Sequence, residues 1–471
     1  MAKRNGRKKY IWWQFSCKLL SSNYSASETE KIRSVIAQMT VEEKVAQIGA
    51  VRAISLTENG NFSEEKARKF LGHGIGFITR LTGDGLTIEQ ARDLVRKTQD
   101  YISSNATIKI PALIMEECLA GVKAPGATSF PQAIGLASTW DISLISRVAS
   151  AIGAQASSLG ITHCLSPVLD LAVDPRWGRT EETYGEDPYL VSSMGVAYVS
   201  SLQAQGVAAT GKHFAGHGSS EGGRNTAPVN VSERFLRENH LRTFEAAVKE
   251  ANMKSVMAAY HQLDGIPCHI NQWLLRHVLR EEWGFDGVVL SDGGGIPRLI
   301  NVDYVASDCQ EAAVKALTAG VDSEMPESTC YHALVAAVTS GKIPVSILDS
   351  AVEEVLREKL WLGLLDESTK EVKEAKLDDE AFRRVALEAA RESIVLLKND
   401  GTLPLKKGIT LAVVGPNAAD QRNLFGDYHY TAHLGLSSPD VRTESVLDAI
   451  RAKVSSVLYA KGCDVALPSK D

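Results

Sequence analysis

From Gly74 onward, short apolar runs alternate with stretches whose apolar residues recur at helical spacing. Residues 75–78, 110–115, 162–169, 207–210, 255–259, 288–290 and 321–325 form the runs. They are rich in β-branched residues and bounded by glycine or polar positions, the pattern of strands buried on both faces. Between them, residues 87–100, 142–159, 233–250, 272–281 and 308–319 read as amphipathic helices. Each gap between runs has room for a crossover helix, so the strands are parallel. Seven such units, with space for an eighth, predict a TIM-like (β/α)8 barrel in preference to an open doubly wound sheet.

The strand ends carry the candidate chemistry. Residues 110–115 run into Glu116 and Glu117, residues 207–210 into Lys212 and His213, residues 255–259 into Tyr260, residues 288–290 into Asp292, and Val321 leads to Glu324. In a β/α barrel the C-terminal strand ends face one mouth, so these groups are expected to ring a single site. Gly293, Gly294 and Gly295 follow Asp292 and let a ligand approach the backbone. The competing reading of Asp292 is a cap for the next helix.

A chain of 471 residues exceeds one ordinary core. Residues 29–345 are assigned to the barrel, residues 346–399 to a helical linker with helices at 346–360 and 378–398, and residues 400–471 to the start of a second α/β unit. That unit reads as a strand at 409–417, a helix at 443–452 and a strand at 455–459, an incomplete α/β sandwich. Residues 1–28, basic then briefly apolar, read as an extension outside the fold. The apolar part is too short for a signal peptide, which suggests a cytoplasmic protein. A net charge of −6 gives no reason to expect a nucleic-acid or membrane partner. Seven cysteines without a Cys-x-x-Cys pair suggest buried, reduced thiols and no zinc ribbon. His213 and His217 have the i, i+4 spacing of metal ligands, but the glycines around His217 argue against a helix that would hold both, and no metal or cofactor is called for.

Five motifs in order resemble glycoside hydrolase family 3, the β-glucosidase and β-xylosidase group, from about residue 31 to the last residue. They are the stretch from Met39 to Gln47, the loop from Ala124 to Gln132, Asp174-Pro175-Arg176-Trp177-Gly178-Arg179, Gly211-Lys212-His213-Phe214, and the Asp292 segment. The resemblance implies an exo-acting retaining β-glycosidase acting on small oligosaccharides or glycosides with terminal glucosyl or xylosyl residues. It further implies Asp292 as nucleophile, Glu117, Arg179, Lys212 and His213 as ligands of sugar hydroxyls, and Tyr260 as the phenol beside the nucleophile. Such chemistry needs an ionised Asp292, which Arg179 and Lys212 are expected to favour, and a second carboxylate about 5–5.5 Å away.

Three departures stand out. Ala120 occupies a position where the family often has His, and Gly293 one where many glucosidases have an aromatic residue. The family's acid/base Glu comes from the second domain and is expected beyond Asp471. Glu181, Glu182, Glu221 and Glu324 are weaker substitutes within the barrel loops. His217 and Trp177 read as loop and packing residues. Two rival readings are a family member acting on N-acetylhexosaminides and a silent sugar-binding barrel. The former takes its acid/base from an Asp-His pair that the loop from Ser219 to Asn225 lacks.

Overall fold

In the computed structural model, which describes residues 24–365, 377–436 and 441–465, seven parallel strands form one sheet in chain order. They are β1 (Ala50–Arg52), β2 (Phe77–Thr79), β3 (Leu113–Glu116), β4 (His163–Cys164), β5 (Ala208–Phe214), β6 (Ser255–Ala258) and β7 (Val288–Ser291). Nearly every residue of β2 to β7 is buried, as a sheet covered on both faces requires. Residues 321–325 close the ring between β7 and β1. Ser291 N donates to Ser323 O at 2.9 Å, and Ser323 Oγ donates to Ile48 O just before β1 at 2.6 Å. The TIM-like barrel is therefore present, with its eighth position held by a short bridge instead of the full strand expected at 321–325.

Three boundaries differ for visible reasons. β1 lies outside the expected set, because Ala50-Val51-Arg52 offers too short an apolar run to stand out. β4 is shorter than residues 162–169: Pro167 has no N–H for the ladder, although its carbonyl accepts from Lys212 N at 3.1 Å. β5 runs on through Lys212 and His213 to Phe214, so these two groups sit on the strand itself.

The expected linker is largely part of the barrel. Helix Val345–Trp361 buries Leu348, Val352, Val355 and Leu356 and packs on helices Ala26–Ala37 and Val41–Gln47. Its Lys359 Nζ donates to Gln47 Oε1 at 2.8 Å and to Ile75 O at 3.3 Å, at the N-terminal ends of the barrel strands. The fold also takes in residues before 29, since Ser25 caps helix Ala26–Ala37 in a reciprocal box with Glu28. Most of the expected N-terminal extension and the charged stretch 366–376 lie outside the described residues. Helix Glu380–Glu392 ends six residues before the expected 398, and Ile394 to Leu397 are exposed.

The second unit pairs β8 (Thr410–Val414) in parallel with β9 (Ser456–Ala460), joined through helix Val446–Arg451. Cys309 and Cys330 form a disulfide, which corrects the expectation of unpaired thiols for this pair. An odd cysteine count does not exclude one bridge, and folding brings together residues 21 apart in sequence. Cys118, Cys164 and Cys268 are free and buried as expected, while Cys463 is free but exposed. Among the described residues no helix is long and apolar enough to cross a membrane.

Candidate active site

Five of the six expected residues, Glu117, Lys212, His213, Tyr260 and Asp292, line one pocket at the C-terminal strand ends. The sixth, Arg179, reaches the same cluster by hydrogen bonds. Asp292 follows β7 directly, and its Oδ1 accepts from Gly293 N at 2.7 Å. The following helix, Gly295–Asn301, has Gly294 as its cap, so Asp292 is not a helix cap. Its backbone N–H donates to His269 Nε2 at 3.1 Å. Gly295 makes room for that imidazole, since a Cβ there would lie 2.3 Å from Nε2. Asp292 Oδ2 is buried with no hydrogen-bond partner and lies 3.8 Å from His213 Nε2.

The electrostatics refine the expectation for the nucleophile. Burial raises the Asp292 carboxyl above its ordinary value; Arg179, the Gly293 N–H and Lys212 pull the other way but do not overcome it. Tyr260 OH donates to Gly293 O at 2.8 Å, one residue from the carboxylate.

Lys212 and Glu117 form a buried ion pair, Nζ to Oε2 at 2.8 Å. Burial alone would raise the Glu117 carboxyl, but Lys212, Lys123 and Arg80 outweigh it and hold the group below its usual range. Arg179 is clamped by Glu182, Nε to Oε1 and Nη2 to Oε2 at 2.8 Å each. Its Nη2 also donates to His213 Nε2 at 3.0 Å. Burial, then Arg179 and His217, keep His213 well below its ordinary value, hence neutral.

Several residues of the cluster escaped the sequence reading. Asp170 Oδ2 accepts from both His213 N, at 2.9 Å, and His213 Nδ1, at 2.8 Å. Burial pushes its carboxyl up to about 7, against the His213 N–H and Arg179. Asp170 follows the apolar pair Val168-Leu169, so the strand-then-charge pattern that marked the other sites applies to it too. Tyr428 and His433 come from the second unit and also line the pocket. The Tyr428 ring lies 4.8 Å from Lys212 Nζ, and Arg179 Nη2 donates to its hydroxyl at 3.4 Å.

The four substitute carboxylates are committed elsewhere, and none lines the pocket. Glu182 holds Arg179, Glu181 Oε1 accepts from Asp427 N at 3.0 Å, and Glu221 accepts from Asn230. Glu324 Oε2 accepts from Cys330 N and Tyr331 N at 2.7 Å each, which corrects its expected place at the mouth. Trp177 is buried packing, edge-on to His217 at 5.2 Å. His217 belongs to a side-chain network and does not serve a loop backbone. Ala120 is buried, and its carbonyl accepts from Phe130 N at 2.9 Å.

A parallel β/α barrel that gathers acids and bases round one pocket at its C-terminal strand ends has the architecture of a barrel enzyme. Residues 40–358 match the glycosyl hydrolase family 3 N-terminal domain and residues 394–469 the family's C-terminal domain. A β-xylosidase from Formosa agariphila is 40% identical over 407 residues, covering 80% of this chain and 56% of that protein. A β-glucosidase structure from Erythrobacter marinus aligns with a TM-score of 0.82 at 31% identity, over 94% of this chain and 61% of its own. A β-glucosidase from Listeria innocua in complex with glucose aligns at 0.81 and 29% identity, over 94% and 61% of the two chains. The chain belongs to glycoside hydrolase family 3. It spans about half the length of the curated relatives it matches.

Proposed function

We propose that this chain carries the sugar site and nucleophile of an exo-acting, retaining β-glycosidase for terminal β-D-glucosyl or β-D-xylosyl residues. The observation that carries the reading is the Asp292 carboxylate: Gly293 N–H fixes Oδ1, the Tyr260 phenol lies against the group, and Oδ2 is buried 3.8 Å from His213 Nε2 with no hydrogen bond of its own. A free lone pair on a held carboxylate is what nucleophilic attack on an anomeric carbon requires. The Glu117–Lys212 pair and the Arg179 fork supply donors and an acceptor for sugar hydroxyls. The names of the relatives, β-xylosidase and β-glucosidase, support both sugars as substrates.

The pocket's other lining carboxylates, Glu116 and Glu117, are tied up. Glu116 Oε2 accepts from Thr82 N and Gly83 N at 2.8 Å each, and Glu117 is paired with Lys212. Neither is free to act as acid/base, so among the described residues no carboxylate lining the pocket is left to partner Asp292. General acid–base help is worth roughly 10²–10⁴-fold. A dinitrophenyl glycoside needs little acid assistance. It is expected to give a burst of phenolate, slow turnover, and a sugar adduct on Asp292 detectable by mass spectrometry. Azide, which needs no base, should accelerate the second phase, and Asp292→Asn should abolish burst and adduct while still folding. An adduct on another residue, or an undiminished burst in Asp292→Asn, would refute the assignment.

A further inference from the structure

Arg179 is held by more than its carboxylate clamp. A guanidinium only donates, and Arg179 gives one N–H to each of two imidazoles: Nη2 to His213 Nε2 at 3.0 Å and Nη1 to His217 Nε2 at 3.4 Å. Both rings must therefore present a lone pair at Nε2 and carry their proton on Nδ1. His213 Nδ1 then donates to Asp170 Oδ2 at 2.8 Å. His217 Nδ1 lies 3.2 Å from His261 Nδ1, which must accept and be bare. His261 accordingly carries its proton on Nε2 and donates it to Ala215 O at 3.1 Å. With neutral rings, this assignment satisfies each of these contacts; Asn225 also hydrogen-bonds His217, and Cys268 Sγ lies 3.7 Å from His261 Nε2.

The rings are fixed as well as oriented. His217 stacks on His261 with centroids 5.3 Å apart and meets the Trp177 ring edge-on at 5.2 Å. The next residue must be glycine, because a Cβ on Gly218 would fall 1.8 Å from Leu171 O. Both histidines are at most 1% exposed. Burial, then His261 and Arg179, hold His217 well below its ordinary value; burial holds His261 down to about 3.

We propose that His217 and His261 are positioning residues for sugar recognition, a relay of fixed tautomers that sets the angle of the Arg179 fork. The inference rests on Arg179 being a sugar ligand, as proposed above. Glu182 anchors Nε and Nη2 of Arg179, and His217 supplies the acceptor that restrains Nη1. Without it, the fork keeps its charge and its clamp but loses one of its two imidazole acceptors. The effect belongs to binding, because neither histidine touches Asp292.

The test uses the 471-residue chain and the sugar-shaped amine isofagomine as probe, titrated by calorimetry. His217→Phe keeps the ring stack and removes the polar contacts to Arg179 and His261, along with that to Asn225. Leaving a buried donor unpaired predicts about tenfold to a hundredfold weaker binding. His217→Gln, whose amide oxygen can accept from Arg179 and whose NH₂ can donate to His261, should recover most of that loss. The burst rate at saturating dinitrophenyl glycoside should change little in either variant. Wild-type affinity in His217→Phe, or equal weakening in Phe and Gln variants of wild-type melting temperature, overturns the proposal. A wild-type chain that binds no isofagomine overturns the sugar-site reading instead. Nitrogen-15 histidine spectra decide the relay independently and need no substitution: Nδ1–H signals are expected for His213 and His217 and an Nε2–H signal for His261. An Nε2–H signal on His217 would overturn it.

Discussion

The Lys212–Glu117 pair makes a sharp energetic prediction because both charges are sunk in the pocket wall. The Lys212 side chain is 1% exposed and that of Glu117 14%, with Nζ and Oε2 2.8 Å apart. Removing one partner of a buried pair typically costs ~3–5 kcal/mol, whereas replacing both by apolar groups is often near neutral. In Glu117→Leu the stranded ammonium still faces the Tyr428 ring at 4.8 Å. A cation–π contact of that kind returns ~0.5–2 kcal/mol, so the loss should fall to about 2–4 kcal/mol. In Lys212→Met the carboxylate keeps the more distant Lys123 and Arg80, and about 2–3 kcal/mol is expected.

The double variant Glu117→Leu/Lys212→Met leaves no charge behind. It should be more stable than either single change, with a coupling of about 3 kcal/mol or more. Denaturant unfolding at pH 7, followed by tryptophan fluorescence, measures the cycle. The Glu117 carboxyl is held below its ordinary 4.5. Its contribution is thus present above that pH and lost as pH falls through the lowered folded value. The same cycle repeated below pH 4 should show a shrinking coupling. Losses that simply add, with the double variant the least stable, would refute the buried-pair reasoning.

Two further predictions concern stability and space. Burial lowers Lys359 from 10.5 to about 7, so between those values the unfolded chain binds more protons and stability should rise with pH. The ceiling is roughly 4–5 kcal/mol. Lys359→Met should flatten the rise in unfolding midpoint between pH 7 and 9.5, and an unchanged slope would count against the charge being buried. The two loop glycines should behave oppositely. Gly218→Ala drives a Cβ into Leu171 O and should lower the melting temperature by several degrees, while in Gly293→Ala the Cβ meets only ordinary contacts at 3.5 Å or more from the Tyr260 hydroxyl and Pro326 and the variant should fold normally. Equal melting temperatures for the two variants would show that the Gly218 backbone can give way.

What could be read from the chain was whatever depends on local pattern. Strands buried on both faces announce themselves as apolar runs, and the barrel's geometry carries the groups ending them to one mouth, so the shared pocket of Glu117, Lys212, His213, Tyr260 and Asp292 is legible without contact information. β1 is not legible, because three residues carry too little periodic signal. The barrel packing of helix Val345–Trp361 is not legible either, because an amphipathic face does not say what it covers. Asp170 obeys the strand-then-charge pattern. Tyr428 obeyed none, since only the docking of the second unit on the barrel brings it to Lys212. The Asp292 carboxyl showed the limit of counting charges: Arg179 and Lys212 act in the expected direction, but burial, which has no signature in sequence, outweighs them.

Tyr428 and His433 give part of the pocket wall to a segment that joins the barrel only by docking. Asp427 N on Glu181 and the Tyr428 hydroxyl on Arg179 are among the contacts through which it does so. A ligand that fills the pocket and touches that wall binds the docked arrangement better than the undocked one, so by thermodynamic reciprocity it must tighten the docking by the same factor that docking tightens the ligand. Occupancy of the pocket and the seating of the second unit are then one equilibrium observed from two ends. The pocket is a joint whose closure can be followed by protease protection around Tyr428 as well as by sugar binding.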